Sequence, residues 1–202
     1  MVDYFNQGGI FMWPILFMLV FGIAISLERI WTLTRASVNT RKFLTKIREA
    51  LSDRGIDGAR EVCENTRGPV ASIFHAGLLR ADRGIEHVEK AISNAGTIEM
   101  AFLEKNLVWL STVVSLAPML GFTGTVQGMI KAFEAIAAVN DISPTIVADG
   151  ISVALLTTLF GLIVAMIIQM MHNFFVSRID KLIIDMEESS NELVDTLVAL
   201  EK

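Results

Sequence analysis

Charged and apolar positions are segregated along this chain into long blocks. Residues 4–27, 106–130 and 150–177 contain no Asp, Glu, Lys or Arg. Each run is longer than the roughly 18 residues that a helix needs to cross a bilayer core of about 30 Å. The pattern predicts an all-α, multi-pass membrane protein with three transmembrane helices, span one over about residues 9–27, span two over 106–130 and span three over 150–177. Between the spans the hydrophobic period is that of amphipathic helices. Phe43, Leu44, Ile47 and Leu51 share a face that ends near Gly55, and Pro69 is suited to open a helix with Val70, Ile73, Phe74 and Leu78 inward. After Gly84, the residues Ile85, Val88, Ile92 and Ala95 line up, with Glu86 and Lys90 spaced as an i, i+4 pair. Only Gly96 interrupts this last segment, so the helix is expected to run on into span two. In the tail, 178–202, Ile179, Leu182, Ile183, Met186, Leu193 and Leu197 form one apolar face between acidic residues. That face is expected to pack on the cytoplasmic helices or on a neighbouring subunit. The spans therefore extend into a helical cytoplasmic domain. No linker separates the parts, so 1–202 reads as a single domain.

The basic residues orient the chain. Thirteen of the seventeen Lys and Arg lie in residues 28–105, beginning with Arg29, Arg35, Arg41, Lys42, Lys46 and Arg48, and none precedes span one. The positive-inside rule then puts the amino terminus outside, 28–105 in the cytoplasm, the 131–149 loop outside and the tail inside. Arg178 and Lys181 after span three agree. Met1 to Gly9 carries Asp3 and no basic residue, so a cleaved signal peptide is not expected. Trp13 and Trp31 are placed to anchor span one at the two interfaces. Pro14 falls near a helix end, where its missing N–H is tolerable.

Composition narrows the chemistry. Hydrophobic residues make up 52% of the chain and charged ones 19%, with mean hydropathy +0.53 and net charge −5. There is no basic stripe with interleaved aromatics, which argues against nucleic acid. The single cysteine, Cys63, excludes an intrachain disulfide. Cys63, His75 and His87 lack the short spacings of a metal site, and His172 near the inner end of span three is explained by an interfacial ring. No phosphate loop and no nucleophile paired with a base is present, so no enzyme and no cofactor is expected. The outer loop sets Glu134, Asp141 and Asp149 against Lys131, an ordinary solvated arrangement.

What remains is a set of small and hydroxyl residues inside spans two and three. Gly121, Gly124, Thr125 and Gly128 fall at i, i+3, i+4 and i+7 and form one stripe on a helix. Gly150, Ala154, Thr157 or Thr158, Gly161 and Ala165 form a second. Such stripes let membrane helices approach closely. Thr125 and Thr158 lie roughly 8 and 12 Å inside the outer ends of their spans at about 1.5 Å per residue, near enough in depth for the hydroxyls to meet. Pro118 sits at mid-membrane two turns before Thr125, at a position expected to act as a hinge. The spans hold no carboxylate and no Lys. Thr hydroxyls orient water or solvate an ion but store no proton near neutral pH.

The runs Pro118-Met-Leu-Gly-Phe-Thr-Gly-Thr-Val-Gln-Gly-Met and Asp149-Gly-Ile-Ser-Val-Ala-Leu-Leu-Thr-Thr-Leu-Phe-Gly-Leu-Ile resemble the paired signature of the MotA/TolQ/ExbB family of ion-channel subunits. The order of parts is similar too, with one span, a large basic cytoplasmic segment, two more spans and an inward tail. The resemblance implies a subunit of a bacterial inner-membrane motor that couples proton flow to mechanical work, in energised transport or envelope maintenance. It implies a homo-oligomeric ring of five around the single spans of partner chains of the ExbD/TolR/MotB type, whose membrane Asp carries the proton. The family's ion-path threonines fall on Thr125 and Thr158, with Thr157 beside them.

The sequence departs from that pattern at Val153, where ExbB and TolQ proteins usually have a Glu in span three. A proton relay inside this subunit is therefore not expected, and a sodium-driven or flagellar-stator-like subunit stays open, as hydroxyl and carbonyl oxygens suit a hard cation. The short cytoplasmic segment favours an ExbB/TolQ-like energiser over a stator. A non-conducting membrane scaffold explains the glycine stripes by packing alone.

Overall fold

The structure is a computed structural model that describes residues 2–37, 40–139 and 144–200. Among these the chain is helical throughout, with no strand. The elements are α1 (Val2–Gln7), α2 (Met12–Ala36), α3 (Thr40–Glu64), α4 (Pro69–Leu78), a 3-10 turn (Ala81–Arg83), α5 (Ile85–Glu104), α6 (Leu107–Val139) and α7 (Pro144–Leu200). The three uncharged runs fall on α1 with α2, on α6 and on α7, and three helices are long and apolar enough to cross a membrane. Residues 140–143 of the loop between spans two and three, with Asp141, lie outside the described residues.

The chain divides into two compact units. The first comprises Met1–Glu28 and Asn106–Phe174. Pro14 sits in the first turn of α2, where no hydrogen bond is lost, as expected from its position. Gly22 lets α2 lie against the other two helices: a Cβ there would meet Ile168 Cδ1 at 2.7 Å and Val113 Cγ1 at 3.5 Å. Leu110, Val113, Ala117, Val164 and Ile168 fill this interior, and Trp109 and Phe21 meet at right angles with 6.3 Å between ring centres. Large apolar side chains cover the outside, among them Phe17, Met119, Phe122, Leu155 and Met170. A shell of this kind is stable in hydrocarbon and unfavourable in water.

The second unit comprises Arg29–Lys105 and Phe175–Lys202. Phe43, Ile47 and Leu51 of α3 are buried, and Phe43 meets Phe74 of α4 at 5.4 Å between ring centres. The α3 periodicity stops where the sequence indicates. Gly55 has φ 67° and ψ −156°, a conformation that only glycine adopts freely, and it divides α3 into two helical stretches. Pro69 opens α4 as expected, with Ile73, Phe74 and Leu78 buried and Val70 half-buried. Arg60 holds the far end of α4 by donating from Nε and Nη2 to Leu78 O at 3.1 and 2.8 Å. On the tail, Ile179, Met186, Leu193 and Leu197 are buried, and Arg48 of α3 pairs with Glu192. The apolar tail face thus packs on helices of its own unit.

One boundary differs from the sequence expectation. The helix that begins after Gly84 passes through Gly96 and stops at Glu104, so it does not run into span two. Lys105 turns to φ −50° and ψ 138°, and Asn106 takes φ 68°. Asn is the residue type other than glycine that best tolerates this left-handed conformation, so the helix breaks here at small cost. Asn106 Nδ2 also donates to Glu28 Oε2 at 3.3 Å.

Candidate functional site

The small-residue stripes of α6 and α7 face each other. A Cβ on Gly121 would lie 2.9 Å from Thr157 O and 3.1 Å from Thr158 Cα. One on Gly128 would lie 2.8 Å from Gly150 O, and one on Gly161 would lie 2.6 Å from Ala117 O. Ala132 stands opposite Gly150, and Ala154 opposite Gly128. Partners descend along α7 as they ascend along α6, so the two helices run antiparallel with their backbones in contact over this whole stretch. Gly121, Gly124 and Gly128 on one side, and Gly150, Ala154 and Gly161 on the other, do what stripes of small residues permit, which is close approach without side chains between. Pro118 lies inside α6, and the helix continues through it from Leu107 to Val139.

The helical phase separates the two threonines that the sequence left as alternatives. Thr157 is in the stripe, fully buried, with its side chain against Gly124, where an added Cβ would lie 2.5 Å from Thr157 Cβ. Its hydroxyl donates within α7 to Ala154 O at 2.9 Å and Val153 O at 3.1 Å. Thr158 is the next residue round the helix and half-buried, and its hydroxyl crosses to α6 and donates to Gly121 O at 3.3 Å. Thr125 is half-buried beside the α6 stripe and donates to Phe122 O at 2.6 Å. Thr125 and Thr158 therefore end on two consecutive carbonyls of α6 rather than on each other. Among the described residues of the first unit, other hydroxyls bond within their own helix: Ser26 to Gly22 O, Thr112 to Val108 O, Ser115 to Ser111 O and Thr123 to Met119 O.

Val153, at the position where the sequence departs from the ExbB and TolQ pattern, faces the turn between α1 and α2. A Cβ on Gly9 would come within 3.8 Å of Val153 Cγ1. His172 is the one ionisable side chain in the described part of 150–177, and its Nδ1 is buried without a hydrogen-bond partner. In the second unit Arg29 is 1% exposed and donates from Nη1 to Leu103 O at 3.3 Å, in the last turn of α5. The sequence marks Arg29 only as a topology signal. Its burial follows from a helix C-terminus that offers carbonyls and partial negative charge. Cys63 is buried, and burial, reinforced by the neighbouring Glu64 carboxylate, pushes its thiol up to about 12. Among the described residues no group of three His, Cys, Asp or Glu side chains gathers as a metal site would require.

The site as a whole is a close-packed helix pair with two half-exposed hydroxyls on its edge. It offers oxygen ligands and hydrogen bonds but no acid or base. Residues 65–188 match the model of the MotA/TolQ/ExbB proton channel family. A putative biopolymer transport protein ExbB homolog from Methanothermobacter thermautotrophicus is 32% identical over 89% of this chain and 64% of its own length. A putative biopolymer transport protein ExbB-like 1 from Synechocystis is 27% identical over 88% of the chain and 71% of its own length. The Tol-Pal system protein TolQ of Pseudomonas aeruginosa is 31% identical over 76% of the chain and 74% of its own length. The chain thus spans about two thirds to three quarters of the length of these relatives.

Proposed function

The chain belongs to the MotA/TolQ/ExbB proton channel family, and from that premise we propose that it is the ring-forming subunit of an ExbB/TolQ-like inner-membrane motor. In this reading five copies surround the single spans of partner chains, with the amino terminus periplasmic and the tail cytoplasmic. Ion flow past α6 and α7 drives work on the periplasmic part of the partner, in energised transport or envelope maintenance.

The observation that carries the reading is the placement of Thr125 and Thr158. Both are half-exposed, both lie in uncharged spans, and both hydroxyls rest on adjacent carbonyls of α6, Phe122 O and Gly121 O. A pair of hydroxyls beside two carbonyls is a set of hard oxygen donors suited to a hydrated proton or a small cation. No carboxylate or Lys accompanies them, so the titrating group is the membrane Asp of the partner. Thr157, buried against Gly124, fixes the helix pair beside the path. Pro118 serves as the hinge that lets α6 adjust when the partner moves.

The test is partner-dependent transport with Thr125→Val, Thr158→Val and Thr157→Val, each checked for assembly by native gel. Loss of transport in the first two with assembly intact, and near-normal transport in the third, is the expected result. Dependence of the residual activity on a proton or a sodium gradient identifies the ion. Full activity in both Thr125→Val and Thr158→Val would leave the stripes as packing alone and make the chain a non-conducting scaffold.

A further inference from the structure

A cleft of about 640 Å3 opens in the second unit between the cytoplasmic end of α2, the start of α4 and the last turns of α5. Its walls carry two arginines, Arg35 and Arg67, two carboxylates, Glu64 and Glu99, the ring of Trp31 and the imidazole of His75. Neither arginine is in an ion pair among the described residues. Arg35 instead lies over the Trp31 ring, 5.4 Å from its centre. His75 Nε2 is buried and faces Glu64, 3.4 Å from Oε1.

The level of the cleft says where the ligand comes from. The uncharged run ends at Leu27. Trp31 and Arg35 follow it along α2 by roughly 6 and 12 Å at about 1.5 Å per residue. The headgroup layer on each side of a bilayer is about 5–8 Å deep. Trp31 falls within that layer, and the long Arg35 side chain reaches back to it from just beyond. Balanced charge then narrows the chemistry. Two guanidiniums suit a phosphate, while two carboxylates in the same walls repel a purely anionic headgroup and attract a cation.

We propose that this cleft binds the headgroup of a phospholipid that carries both a phosphate and a primary ammonium, as phosphatidylethanolamine does. Arg35 and Arg67 hold the phosphate, and Glu64 and Glu99 accept from the ammonium. A choline headgroup has no N–H to give to the carboxylates, and the face of Trp31 that would attract it is covered by Arg35.

The experiment uses the full chain in nanodiscs, with Trp13→Phe and Trp109→Phe so that Trp31 is the only tryptophan. Quenching of Trp31 is measured with brominated-acyl phosphatidylethanolamine, phosphatidylcholine and phosphatidylglycerol, each doped into the same unbrominated bilayer. Ratios between lipids within one variant cancel any change in intrinsic emission. The expected result is severalfold stronger quenching by the ethanolamine lipid. In Glu64→Gln with Glu99→Gln that preference disappears and phosphatidylglycerol gains. In Arg35→Gln with Arg67→Gln all three lipids fall to a common level. Equal quenching by the three lipids in the unsubstituted chain overturns the proposal, as does a preference that survives the substitutions. Saturation of the cleft by soluble glycerophosphoethanolamine with no lipid preference overturns it as well, because the ligand would then be a soluble phosphate ester. Transport is not measured, so the result stands apart from the motor reading.

Discussion

Replacing Gly161 by Ala tests the α6–α7 contact most directly. The added Cβ would lie 2.6 Å from Ala117 O, 3.1 Å from Gly121 Cα and 3.3 Å from Gly121 N, whereas ordinary contact begins at 3.4 Å. The helices must separate by about 0.8 Å at this point, taking the difference between 3.4 and 2.6 Å. Every atom met is backbone, so no side chain can rotate aside. Overpacking of this kind costs about 1–3 kcal/mol, and alanine recovers about 0.5–1 kcal/mol of backbone entropy in a helix. The net expectation is a loss of about 1 kcal/mol. Gly96→Ala in α5 is the matched control, because its new Cβ meets only Ile73 Cδ1 at 3.9 Å, and the expected change there is a gain of about 0.5–1 kcal/mol. Reversible unfolding in mixed micelles, read by circular dichroism as denaturing detergent is raised, compares the midpoints. Movement of both variants in the same direction would refute backbone contact between the two stripes. Gly124→Ala adds a second arm. Thr157→Ala should not rescue it, since Thr157 Cβ itself stands 2.5 Å from the new atom, while Thr157→Gly should.

Two further outcomes follow from the second unit and its boundary. Asn106→Gly keeps the φ of 68° without strain and should change stability little, while Asn106→Val forces a β-branched residue into that region and should lose about 1–2 kcal/mol in the same unfolding measurement. Cys63 should resist alkylation by iodoacetamide at pH 8 in the folded protein and react promptly once unfolded, because its thiol is raised to about 12 from an ordinary 9.0. The folded state then holds a proton that the unfolded state has released, so stability should fall as pH rises from about 9 toward 12, by about 1.4 kcal/mol per unit. Cys63→Ser should flatten that part of a stability–pH profile.

Much of the architecture is written in one-dimensional signals. The absence of charge over three runs sets the membrane helices, because a charge in hydrocarbon is expensive whatever the fold. Gly55 and Pro69 punctuate the helices of the second unit through backbone rules that act locally. The break at Asn106 is not legible in the same way, since Asn in the left-handed region is an option rather than a requirement and the neighbouring Lys105 carries no stop signal. The burial of Arg29 is hidden for another reason: a basic residue just past a span reads as topology, and only the fold brings the last carbonyls of α5 to it. The glycine stripes were visible, but their partners were not. Which of Thr157 and Thr158 enters the stripe depends on a rotation of about 100° per residue, and two adjacent residues cannot be told apart until the helix phase is fixed by the opposite glycines.

That phase has a consequence for how the hydroxyls are tested. Intrahelical hydroxyl bonds such as Ser26 to Gly22 O reuse carbonyls already engaged by the helix and add little to its stability. Thr158 differs in reaching across to α6, yet its acceptor, Gly121 O, lies inside an unbroken helix and keeps its own backbone partner when Thr158 is replaced. No buried carbonyl is orphaned by Thr158→Val, so the structural loss is confined to one interhelical bond worth about 0.6 kcal/mol in membrane proteins. Valine matches threonine in shape, and the close contacts of Gly121 are with Thr157 O, Thr158 Cα and Gly161 Cα, none of which belongs to the hydroxyl. An assembled but inactive Thr158→Val protein would therefore report the loss of an oxygen ligand on an ion path, because the packing that holds α6 to α7 does not depend on that oxygen.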